Sequence, residues 1–155
     1  MVNAQLILAA IVAALLVVAA IVDGRHRIIP DWVNIAIALL AVPYWWATQL
    51  SPWPDIALQF GIAAVAFAVL LAVFAAGQMG GGDVKLIVAL ALFLAPLDFM
   101  RMLFVMAIAG GILTVAMVVR YRLKGSQGDF ENPYGIAIAI GGLVALSERY
   151  LNHLP

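Results

Sequence analysis

Apolar residues fill the chain in six blocks, roughly 3–22, 32–50, 55–76, 83–97, 99–119 and 133–151, separated by short clusters of polar residues, glycine and proline. This pattern predicts an all-α, polytopic membrane protein of about six helices joined by short loops. The first block has about twenty residues, enough to cross a hydrocarbon core at about 1.5 Å per residue, and it lacks a basic leader segment. It reads as a retained helix, not a cleaved signal. The fourth block is short: about fifteen residues reach only about 22 Å as helix, against a core of about 30 Å. That helix is expected to begin below the membrane surface or to recruit part of the glycine stretch before it. No period of 20–50 residues repeats and no loop is long enough to fold alone, so residues 1–155 read as a single integral-membrane domain.

Composition places the blocks in lipid. Of 155 residues 66% are hydrophobic and only 10% charged, where soluble domains carry about 25% charge. If the loops alternate sides, Arg25, Arg27, Lys85, Arg120, Arg122 and Lys124 share one side and Arg101 and Arg149 the other. The positive-inside rule then puts the first set in the cytoplasm and both termini outside it. Trp45, Trp46 and Trp53 are expected at the outer interface, Trp32 and Tyr121 at the inner one. Net charge is zero and the eight basic residues form no stripe, which excludes nucleic acid as a partner. The absence of cysteine removes disulfides and any Cys-ligated zinc site.

Six of the eight acids, Asp31, Asp55, Asp98, Asp129, Glu131 and Glu148, fall in loops or at helix edges, where solvated charge is an ordinary finding. Asp23 closes the first block and Asp83 opens the fourth. Both are expected at one membrane depth, and a carboxylate there is costly unless something compensates. Two close carboxylates in a low dielectric share a proton, an arrangement suited to metal-free peptide hydrolysis. Plainer roles stand beside this one. Asp83 suits capping of its helix, and Asp23 suits pairing with Arg25 or Arg27. The glycines Gly80, Gly81 and Gly82 offer a bare backbone along which an unwound substrate peptide could lie. They lack the Gly-Lys-Ser/Thr ending of a phosphate loop. Lys85 lies about 200° round the helix from Asp83, so it is expected at the rim or against a substrate acid. His26 has no acid or second histidine at ligand spacing, and no metal or cofactor is expected.

Three stretches together resemble the type IV prepilin peptidases, a group of GxGD membrane aspartyl proteases. "GGGDVKL" (80–86) is similar to their G-x-G-D-x-K-L, and "DGRHRIIPD" (23–31) to their D-x-R-x-x-x-I-P-N, with Asp31 in place of the usual Asn. "NPYGIAIAIGG" (132–142) resembles their P-Y-G-x-A-x-A-x-G, whose Ala137 and Gly141 form a face for close helix packing. The resemblance implies cleavage of a prepilin or pseudopilin leader at the cytoplasmic face, beside the substrate's hydrophobic helix, with Asp23 and Asp83 as the catalytic pair. An Asp at 31 is expected to cap the second helix as Asn would. The chain is similar in size to short members serving tight-adherence (Flp) pili. It has neither the cysteines nor the room for the methyltransferase domain of longer members. Two other classes predict different behaviour: a small proton- or ion-coupled carrier would move solute and cut nothing, and an assembly scaffold would tolerate loss of both acids.

Overall fold

The computed structural model describes residues 2–124 and 134–151, which form six α-helices and no strand. They are α1 (Val2–His26), α2 (Asp31–Ala47), α3 (Ala57–Ala75), α4 (Gly81–Phe93), α5 (Pro96–Lys124) and α6 (Tyr134–Leu151). A single turn, Pro52–Ile56, leads into α3. Each expected block is a helix, and the first runs on through Asp23 to His26. Asn132, Pro133, Asp129 and Glu131 lie outside the described residues.

Three helices are long and apolar enough to cross a membrane: Ala4–His26, Pro52–Ala75 and Pro96–Arg120. In each, most of the apolar window faces outward, a surface that water would not tolerate and lipid would. The centre belongs to α4. It packs against α2, α3, α5 and α6, and eight of its 13 residues are buried. Around it, α1 lies on α2 and α6, while α5 lies mainly on α6. The core is made where Val12 and Leu16 of α1, Ile37 of α2, Leu90 and Phe93 of α4 and Ile138 of α6 meet. Ala137 faces Gly110, and a Cβ on Gly141 would lie 2.6 Å from the Met102 carbonyl, so the small residues of α6 do let α5 approach closely.

The fourth helix begins earlier than expected, recruiting Gly81 and Gly82 as its first residues, and it stops at Phe93, where Leu94 turns extended two residues before Pro96, which has no N–H to continue the helix. Side chains from other helices take its last carbonyls. Trp45 Nε1 donates to the Leu92 carbonyl at 2.9 Å. Gln59, with its amide nitrogen turned toward them, donates to the carbonyls of Ala91 (2.9 Å), Leu92 (3.0 Å) and Leu94 (3.0 Å). A helix end away from water needs such partners. Trp45 therefore corrects the expectation of an interfacial anchor: it is buried, whereas Trp46, Trp53 and Trp32 are exposed.

The end of the bundle carrying Tyr44 is tied by polar contacts. The Tyr44 and Tyr150 hydroxyls lie 2.8 Å apart, and Arg149 Nη1 donates to Asp98 Oδ2 at 2.8 Å with its guanidinium 5.7 Å from the centre of the Tyr44 ring. Arg101 stands 3.8 Å from both Asp98 and Glu148. Arg149→Leu would leave the largely buried Asp98 carboxylate without its near partner. We expect a loss of about 2 kcal/mol, less than for a fully buried pair because Arg149 keeps 28% of its surface exposed. Thermal unfolding in detergent measures it.

Candidate active site

At the opposite end of the bundle, the last turn of α1 and the first turns of α2, α4 and α6 converge. The loop between α1 and α2 is short and constrained. The Arg27 N–H donates to the Asp23 carbonyl at 2.8 Å, Arg27 takes a positive φ of 54°, and Pro30 precedes α2 in an extended conformation. Ile29, buried in this loop, lies against Gly82: a Cβ on residue 82 would sit 3.1 Å from Ile29 Cβ and 3.3 Å from its carbonyl oxygen. The missing side chain is what lets the loop rest on the first turn of α4. Asn34 of α2 fastens the same place, its Nδ2 donating to the Gly82 carbonyl at 3.4 Å.

Asp83 is the third residue of α4, and its Oδ2 accepts the N–H of Gly80, the residue before the helix, at 3.3 Å. Capping is thus part of its role, by reaching back from inside the helix. The Asp23 carboxylate lies against the first turn of α6, where a Cβ on Gly135 would stand 2.8 Å from its Cγ and Oδ2, and it feels the charge of Arg27. Both aspartates are at least nine-tenths buried, and they are near enough to act on one another electrostatically. Asp23 Oδ2 and Asp83 Oδ1 have no hydrogen-bond partner. Two carboxylates sixty residues apart are therefore both buried at this end of the bundle, close enough for each to feel the other's charge and each with an unpaired oxygen.

The remaining residues singled out in the sequence fall elsewhere. Gly81 and Gly82 open α4, with Gly82 covered by Ile29, while Gly80 before them is extended and exposed. Lys85 Nζ donates to Asp31 Oδ1 at 2.8 Å, the acid being one of this chain. Asp31 is the first residue of α2 and makes no capping hydrogen bond, contrary to the role expected of it. His26 is exposed. Because Lys85 and Asp31 side chains are 55% and 65% exposed, Lys85→Met is expected to change stability by under about 1 kcal/mol, read as an unfolding midpoint close to that of the wild type.

Two site residues escaped the sequence reading. Asn34 is buried with Oδ1 unpaired, and it lines a groove of about 350 Å³ between α2 and α4 beside the site. Its signal was a polar residue inside an apolar block. Gly135 lies directly against the Asp23 carboxylate, for which only its place in a motif gave notice. Among the described residues no group of three or more His, Cys, Asp or Glu is arranged to hold a metal ion.

Residues 10–115, more than half of the chain, match the type IV leader peptidase family. The chain belongs to that family. No curated protein and no solved structure matches it. The family match takes in both aspartates and ends within α5, so α6, which supplies the backbone around Asp23, lies beyond it. As a leader peptidase the chain has a hydrolase's task, to cut a peptide bond.

Proposed function

We propose that this protein is an aspartyl endopeptidase that removes the leader of a type IV prepilin or pseudopilin at the cytoplasmic face of the membrane. The observation that carries this reading is the pair Asp23 and Asp83, buried together in an apolar bundle with Asp23 Oδ2 and Asp83 Oδ1 unpaired.

Two negative charges at such a place repel and are poorly solvated, so the pair holds one proton. The ionised carboxylate takes a proton from a water molecule as its oxygen attacks the scissile carbonyl carbon. The protonated carboxyl hydrogen-bonds the carbonyl oxygen as it gains negative charge. When the tetrahedral intermediate collapses, the C–N bond breaks, the amine leaves with a proton from the pair, and the leader departs as a carboxylic acid. One water is consumed and no external oxidant or reductant is needed.

In this reading all six helices lie in the membrane, with the loops after α1, α3 and α5 in the cytoplasm and both termini outside. The six-against-two distribution of Lys and Arg supports that orientation. The short α2, α4 and α6 fit because α4 ends on side-chain partners inside the protein. Incubating the purified protein with a candidate prepilin and identifying the cut by mass spectrometry tests the proposal. A single new N-terminus beside the substrate's hydrophobic segment is expected. Solute flux through reconstituted vesicles with no peptide product would replace it with the carrier.

A further inference from the structure

We infer that Gly135 is a positioning residue for Asp23: the Asp23 carboxylate is packed against the first turn of α6, and residue 135 must lack a side chain for the carboxylate to sit there. The inference rests on the peptidase reading for its functional meaning, but its geometry stands without it.

Gly135 and Ile136 are the second and third residues of α6, where backbone N–H groups have no acceptor within their own helix and the helix end is electropositive. The carboxylate that lies against this turn comes from α1, more than a hundred residues earlier in the chain. The approach is close. A Cβ on residue 135 would lie 2.8 Å from Asp23 Cγ and Oδ2 and 2.9 Å from Asp23 Cβ, far inside the roughly 3.5–4.0 Å at which carbon atoms rest. Asp23 sits inside α1 and is buried, and one residue along, α1 and α6 are in contact, a Cβ on Gly24 standing 3.5 Å from the Ile136 side chain. Asp23 Oδ2 is left unpaired on this seat, next to Asp83. The α6 turn thus fixes where Asp23 points.

Gly141 supplies the comparison, because its absent side chain serves packing alone. A Cβ there would meet the Met102 carbonyl oxygen at 2.6 Å and no residue of the site. Gly135→Ala is expected to lower kcat about 20-fold with KM within twofold, since a displaced catalytic group costs rate more than binding. Gly141→Ala is expected to lower the unfolding midpoint while kcat per folded molecule stays within twofold. A stability cycle covers the case in which Gly135→Ala folds poorly. The substitution should lower the midpoint in the wild-type background and leave it unchanged in an Asp23→Gly background, where the colliding atoms are gone. An unchanged kcat for Gly135→Ala, or equal midpoint losses in the two backgrounds, overturns the inference. If the wild-type chain cuts no prepilin, the peptidase reading falls, and the cycle still decides whether residues 135 and 23 are coupled.

Discussion

Asp83→Asn and Asp23→Asn are each expected to leave the protein inserted and folded but to cut prepilin at least about 10³-fold more slowly in kcat/KM. Asparagine keeps the shape of the side chain, with an oxygen able to accept the N–H of Gly80 at position 83 and the same fit against Gly135 at position 23. The helix starts and the meeting of α1, α4 and α6 therefore survive the change. Removing one of two buried carboxylates also removes a repulsion, so the unfolding midpoint should hold or rise. What is lost is the ability to take a proton from water and to return one to the leaving amine. Because the two groups act as one unit, the double variant is expected to be no slower than either single one. Mass spectrometry of the prepilin product, with midpoints measured beside it, checks both halves. Cleavage within tenfold of wild type in either variant would remove the pair from the mechanism.

The contrast between what the sequence disclosed and what it hid follows from where each residue's partner lies. Six helices were readable because apolar blocks of helix length need no partner to be recognised. The two aspartates were readable because a carboxylate in an apolar chain is costly wherever it sits. Partners distant in sequence changed the other assignments. Trp45 has the composition of an interfacial anchor, yet the Leu92 carbonyl draws it inside to finish α4. Asp31 has the composition of a cap, yet Lys85 stands within 2.8 Å and Pro30 takes the capping position. Gly135 is one glycine among thirteen until α6 is folded against α1. The glycine run shows the difference most sharply. Its freedom from side chains was evident, but the chain that uses that freedom at Gly82 is Ile29 of the same protein.

Gly82→Val is expected to lower kcat/KM about 10²-fold, mainly through kcat. A Cβ at this position would already stand 3.1 Å from Ile29 Cβ, 3.3 Å from its carbonyl oxygen and 3.4 Å from its nitrogen, and valine adds two methyl groups to that crowding. The loop is poorly placed to yield. Residue 29 precedes a proline, which restricts its backbone, and Arg27 is tied to the end of α1. Relief therefore comes from separating the α1–α2 loop from α4, which carries Asp23 away from Asp83. A displacement of about 1 Å in a catalytic group is enough for the stated loss. The effect should be graded. Gly82→Ala asks Ile29 to give by a few tenths of an ångström and should cost under about tenfold, and Gly81→Ala, whose Cβ would rest 3.5 Å from the Phe74 ring, should be close to neutral. If the glycines instead serve the substrate's backbone directly, Gly81→Ala and Gly82→Ala should both raise KM and leave kcat in place. Steady-state kinetics on a prepilin peptide separates the two: a loss confined to residue 82 and to kcat assigns that glycine to the alignment of the aspartates.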